Sequence, residues 1–363
     1  MENLGILFNV TIWTICAITF LILGINQIKR NDKYIPQKNY FIIFIFFLAY
    51  SLFTGFGGDN ERYSFFVEEG YKLYFMGGEE NIGIEPLYAY IAKFVHGNFL
   101  LWKLVVYGSC LLITFITIKR FKVKNDITLM FYSLMCLSSI GTTRAVLAYS
   151  IFLLGYSFIK EKEKKQKLFG CFIIVFSYFA HSSMIVPILL TPFVFIKINK
   201  KIVYTLIILF PVLIYLFNTY YNVFLAGDYY YVNKFETYNE YDYATTRSKT
   251  MNILNNIMYF VIIPPIYYGL KSLFKENAST QFKHIIRFTF LLLYFTFVIL
   301  FSKLDNPTFF NRYFTMIPFF LFIYMSEIIK ERSFSLNKIY FYVGIVSLHG
   351  FGLMYYILYC YLI

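Results

Sequence analysis

Residues 98–118 read NFLLWKLVVYGSCLLITFITI, an almost wholly apolar run. A helix of about 20 such residues covers the ~30 Å hydrocarbon core of a bilayer. Eleven further runs of this kind lie on either side of it: 5–26, 40–56, 127–143, 145–159, 168–182, 184–196, 202–218, 253–270, 285–302, 313–329 and 339–361. Several are short. Two neighbouring pairs meet at tight corners, one at Arg144 and one at His181-Ser182-Ser183. The expected fold is all-α: a polytopic integral membrane protein with about 12 transmembrane helices, range 10–13, in one membrane domain over residues 1–363. Composition agrees. Of 363 residues, 59% are apolar, 23% aromatic and 15% charged, whereas a soluble domain carries roughly 25% charged residues. A water-exposed surface could not be covered from this supply.

The charges give the orientation. The loops 27–39, 119–126, 160–167, 197–201, 271–287 and 330–338, with Glu327 at their edge, hold 23 of the 33 Lys and Arg and 7 of the 20 Asp and Glu. The opposite side holds the other 10 and 13, so the two sides carry +16 and −3 and sum to +13. Positive loops stay in the cytoplasm. Both termini are therefore expected outside, with the two long loops 57–97 and 219–252. The basic residues are scattered among short loops, which argues against a nucleic-acid partner. The cytoplasmic loops carry no Gly-rich phosphate cradle, and a site fed by ATP or a nucleotide sugar is not expected there. Cys16, Cys110, Cys136, Cys171 and Cys360 show no CxxC spacing and read as small apolar side chains. The N-terminus has neither a basic start nor a small-residue cleavage site, so the first span is expected to be retained.

Ionisable residues at membrane depth are expensive, and each is a functional candidate. Five places on the outward side qualify. Asp59, Glu61, Arg62 and Tyr63 follow the second span; the acids can act as a base or hold a metal–phosphate, or Asp59 can cap a helix. Glu85-Pro86 with Tyr88 opens a short amphipathic helix, about 86–96, that suits the membrane interface. There Glu85 is either a functional acid or a cap. Arg144 sits at a corner as a snorkelling anchor or as a bidentate phosphate ligand. His181, with Ser183, stands at another corner as a structural imidazole or as a base for a sugar hydroxyl. Arg312-Tyr313 opens the eleventh span with another outward cation. The set suits an anionic, lipid-anchored, hydroxyl-rich substrate. Tyr229 to Tyr231 and the acids around Glu236 add aromatic faces of the kind found in sugar grooves and in ordinary lids.

The ordered pieces resemble the EpsG family of bacterial exopolysaccharide proteins, close to the Wzy-type O-antigen and capsule polymerases. Asp59 with Tyr63 is similar to an Asp-x-x-x-Tyr. Glu85-Pro86 with Tyr88 is similar to a Glu-Pro-Gly-aromatic segment, with Leu87 where the family has Gly. Arg144 to Ala148, Phe179 to Ser183 with Pro187, and Arg312-Tyr313 are similar to its Arg-x-x-x-Ala, Phe-x-His-x-Ser…Pro and late Arg-Tyr. The resemblance implies a GT-C-like polymerase in the bacterial cytoplasmic (inner) membrane, with its site facing the periplasm or exterior. Such an enzyme joins oligosaccharide repeat units carried on undecaprenyl pyrophosphate, with no metal, cofactor or nucleotide sugar. Its partners would be membrane lipid, a chain-length regulator and a flippase.

In that reading Arg144 and Arg312 hold the diphosphate and His181 is the base or positions the hydroxyl. Asp59 and Glu85 are rival bases or acceptor-sugar ligands. Arg62, Tyr63, Tyr88, Ser183 and Tyr313 bind substrate. Three alternatives stand beside it. A glycosyltransferase using a lipid-monophosphate sugar would want a divalent metal near Asp59 and Glu61. A flippase for lipid-linked glycans would show repeats and midplane charges. An O-acyltransferase would also use a His base.

Overall fold

The structure, a computed structural model, describes residues 63–76, 85–121, 143–159, 163–196, 200–225 and 280–301, with single positions at 45, 313, 316, 317 and 320. The described residues are helical, and no strand occurs among them. They fall in two compact units, Met1–Ile188 and Leu189–Ile363.

In the first unit, a helical stretch inside the long 57–97 loop was not expected from the sequence. It runs as a π-helix, Phe66–Gly70, into α1, Tyr71–Phe75. Its acids Glu68 and Glu69 and its Gly70 make this segment read as a loop, while Phe66 and Val67 are buried. Helix α2, Pro86–Phe94, buries Tyr88, Ala89 and Ala92 along one face. It ends in a tight turn with two left-handed residues, His96 at φ 51° and Gly97 at φ 77°. Gly97 also lies against the π-helix, since a Cβ there would stand 3.3 Å from the Glu68 carbonyl. Asn98 then caps α3, Phe99–Arg120, its Oδ1 accepting from the Leu101 N–H at 3.0 Å.

Helix α3 is the run quoted above, begun one residue later and carried two residues further. At 1.5 Å per residue its 22 residues reach about 33 Å. One stripe, Trp102, Val106, Cys110, Thr114 and Ile118, faces the interior at helical spacing. The opposite face exposes Leu100, Leu104, Leu112 and Ile116. The stripe meets α4, Thr143–Ile159, which is buried on nearly every side and is the unit's centre. Small polar groups join the two helices. Cys110 Sγ lies 3.3 Å from Ser150 Oγ, and Thr114 Oγ1 lies 3.4 Å from the same oxygen. Farther along, Arg120 donates from Nε to Ser157 Oγ at 3.0 Å, with its guanidinium 3.5 Å from the Phe158 ring centre.

Helix α5, Lys164–Ala180, returns alongside α4 with the two backbones in direct contact. A Cβ on Gly155 would lie 2.8 Å from the Gly170 carbonyl oxygen, and one on Gly170 would lie 2.7 Å from the Gly155 oxygen. Small residues permit this approach where apolar burial alone gives helices no reason to associate. The outer face of α5 is apolar and exposed at Leu168, Phe169, Phe172 and Val175.

The expected span 184–196 is not one α-helix. It is a 3-10 turn, Ser182–Met184, then α6, Ile185–Leu190, then a 3-10 helix, Thr191–Phe195. Pro187 and Pro192 each remove an N–H donor, which breaks a continuous α-helical ladder.

The second unit contains α7, Lys200–Leu225, with Pro211 inside it, and α8, Thr280–Leu300. Pro211 leaves the Ile207 carbonyl without its usual helical donor. One residue away, Tyr294 of α8 donates its hydroxyl to the Leu206 carbonyl at 2.6 Å. Arg287 donates from Nη1 to the Val194 carbonyl at 3.2 Å. A cavity of about 300 Å³ between α7 and α8 is lined by Ile207, Phe210, Leu293, Tyr294 and Phe297, among others. Two helices among the described residues, Phe99–Arg120 and Lys201–Tyr220, are long and apolar enough to cross a membrane. The second exposes Tyr204, Ile207, Ile208, Val212 and Tyr215, a face suited to lipid and not to water.

The backbone contact of α4 with α5 gives the first prediction. Gly170→Val forces apart two backbones that cannot yield and should cost about 1–3 kcal/mol. Gly108, with open space around it, is the control; Gly108→Ala should be neutral or gain about 0.5–1 kcal/mol. Thermal unfolding of the purified protein in detergent reads both, and equal melting temperatures for the two variants would refute the contact.

Candidate functional site

Pro86 at the first helical position fixes the start of α2 and holds Glu85 extended, at φ −69° and ψ 149°. Glu85 is thus the N-cap residue, yet its side chain makes no capping bond. The Glu85 carbonyl accepts from the Tyr88 N–H at 3.1 Å, and the carboxylate turns inward, where Glu85 is 6% exposed.

Helix α5 packs against α2 and ends at Ala180, which is fully buried. His181 leaves the helix in extended conformation, at φ −160° and ψ 124°. Its ring then caps the following 3-10 turn. Nδ1 accepts the Ser183 N–H at 3.1 Å, with Ser183 Oγ 2.7 Å away. The other ring nitrogen, Nε2, lies 4.0 Å from Glu85 Oε1. His181 is as buried as the acid, at 6% exposure. An acid and an imidazole 96 positions apart in sequence, 181 minus 85, therefore meet in the interior of one unit. Charges survive such burial only beside polar partners.

An aromatic cluster stands beside the pair. Trp102 is 2% exposed and packs on Tyr63, Tyr88 and Phe99, with ring centres 5.9, 5.7 and 6.0 Å away. Two of the expected substrate-binding rings, Tyr63 and Tyr88, are thus buried in it. Tyr313, in the other unit, is buried edge-on to Phe295 at 5.7 Å. Ser183 lies against His181. Arg144 is the second residue of α4, and its side chain lies outside the described residues, as do Asp59, Arg62 and Arg312. Among the described residues no three His, Cys, Asp or Glu gather as a metal site.

Lys103 escaped the sequence reading. It is buried beside Trp102, with Nζ 4.7 Å from the Phe99 ring centre. The signal that finds it is the lone charge within residues 98–118, since an ionisable group inside a span is a functional candidate by position alone.

A model described as the EpsG family matches residues 37–361, about nine-tenths of the chain, and this stretch contains every candidate residue. Comparison with curated proteins and with solved structures gives no match. The chain belongs to the EpsG family, which implies a membrane protein with a polysaccharide-polymerase-like role.

Proposed function

We propose that this protein is a polysaccharide polymerase that joins undecaprenyl-pyrophosphate-linked oligosaccharide repeat units at the outer face of the cytoplasmic membrane. The sidedness of the loop charges, with about twelve spans and both termini outside, supports that placement. The observation that carries the reaction is the buried Glu85–His181 pair in a chain of this family. In the reaction the growing glycan leaves its lipid diphosphate and is joined to a hydroxyl of a new lipid-linked unit. Two demands follow. The attacking hydroxyl must lose a proton, and the departing diphosphate must have its charge stabilised.

The Glu85–His181 pair meets the first demand, with Asp59 as a second acid. Arg144 and Arg312, assigned from sequence, meet the second; a guanidinium grips a phosphate through two parallel N–H bonds. Arg62, Tyr63, Tyr88, Ser183 and Tyr313 complete the proposed substrate contacts.

The test is a deletion strain complemented with variants, with the surface glycan separated on a gel. Deletion should collapse a long ladder to a single repeat unit. Wild type restores the ladder, while Glu85→Gln, His181→Ala, Arg144→Ala and Arg312→Ala, each present in the membrane at wild-type level, lower polymer yield by about a hundredfold or more. Full ladders from Glu85→Gln and His181→Ala would remove this pair from the reaction. Lipid-linked units stranded on the cytoplasmic side would identify a flippase instead. In membranes supplied with lipid-linked units, a chelator of divalent metals should leave polymerisation unchanged. Loss on chelation would favour a lipid-phosphate-sugar transferase built on Asp59 and Glu61.

A further inference from the structure

Two groups of Ser183 converge on one nitrogen of His181. The backbone N–H of Ser183 reaches Nδ1 at 3.1 Å, and its hydroxyl oxygen lies 2.7 Å from the same atom. A hydroxyl can reverse its role; a backbone N–H cannot. Nδ1 therefore acts as the acceptor, and the neutral ring carries its proton on Nε2. To take up a second proton, His181 would have to use Nδ1 and give up the Ser183 N–H bond. The ring is built to donate from Nε2, not to store protons.

Nε2 faces Glu85 Oε1 at 4.0 Å, longer than the roughly 2.7–3.2 Å of a direct hydrogen bond. A hydroxyl oxygen about 2.8 Å from each atom spans this gap, with an angle of about 90° at the oxygen. It would accept from Nε2–H while donating its own proton to the carboxylate.

Resting on the polymerase reading above, we propose that Glu85 is the base for the acceptor-sugar hydroxyl, that His181 is a neutral Nε2–H donor to the same oxygen, and that Ser183 is the positioning residue that locks this tautomer. The hydroxyl proton passes to the Glu85 carboxylate as the oxygen forms its bond to the anomeric carbon. The anomeric carbon–phosphate oxygen bond breaks, and its electron pair leaves with the lipid diphosphate. His181 Nε2–H stabilises the charge that builds on the attacking oxygen.

The tautomer can be read without turnover. The full-length protein with ¹⁵N-labelled histidine, in lipid nanodiscs, has four histidines, His96, His181, His284 and His349. The His181 signals are those lost in both His181→Gln and His181→Ala. A neutral Nε2–H ring at neutral pH is expected; an Nδ1–H ring or an imidazolium would overturn the proposal. In the ladder assay, His181→Gln supplies an amide N–H near the place of Nε2 but no basic nitrogen. It should retain polymer yield within about tenfold of wild type, while His181→Ala loses about a hundredfold or more. Equal loss in the two variants, both folded in the membrane, would make His181 itself the base. Ser183→Ala should lose about fivefold, the worth of one hydrogen bond, and Ser183→Thr, which keeps the hydroxyl, should lose less than Ser183→Ala. Full ladders from every variant would overturn the catalytic roles and the polymerase site together, whichever tautomer the spectrum shows.

Discussion

A helix that stops strands backbone groups at its end, and in a chain built to lie in lipid no water is at hand to satisfy them. That constraint shapes the end of α5. After Ala180 the backbone turns out of helical geometry, and the 3-10 turn that follows opens with N–H groups that have no carbonyl one turn behind them, the Ser183 N–H among them. The imidazole of His181 supplies the partner for that N–H. The ring is therefore fixed by a local backbone need before any substrate is considered. One nitrogen is committed and the other is aimed across the unit at Glu85. The acid arrives by a similar route, because Pro86 starts α2 and leaves the Glu85 side chain free of capping. Chain punctuation at two helix ends thus produces a buried acid–imidazole pair.

Both members of the pair are buried, which makes each polar contact count for more. In a low-dielectric interior a carboxylate is costly unless polar groups face it, and a donor held in place costs nothing to reorganise during reaction. Trp102, Tyr63, Tyr88 and Phe99 fill the space nearby and keep α2 and α3 in register. Lys103 adds a buried cation on the same helix.

Long apolar periodicity was legible in the sequence. The run 98–118 becomes Phe99–Arg120, and 145–159 becomes Thr143–Ile159. The helical stretch at Phe66–Phe75 was not legible, because Glu68, Glu69 and Gly70 mask two buried positions, Phe66 and Val67. The break of 182–195 into 3-10 and α pieces was missed because hydropathy does not register the donors that Pro187 and Pro192 lack. Glu85, His181 and Ser183 stood out as single residues. Their meeting did not, since it depends on how α2 packs against α5, across 96 positions, and no local pattern encodes that. Lys103 was overlooked because it sits inside the most convincing span of all.

The glycine contact between α4 and α5 has a consequence beyond close packing. Gly170 lies 11 residues before His181, which makes the rest of α5 a rod of about 16 Å with its fulcrum at Gly155. A tilt of about 4° at that fulcrum swings the imidazole by about 1 Å, a displacement that can cost an enzyme about a hundredfold. The two glycines thus act as the alignment bearing of the machine. Aim at the end of the helix is set by a contact three turns back, in residues that carry no chemistry of their own.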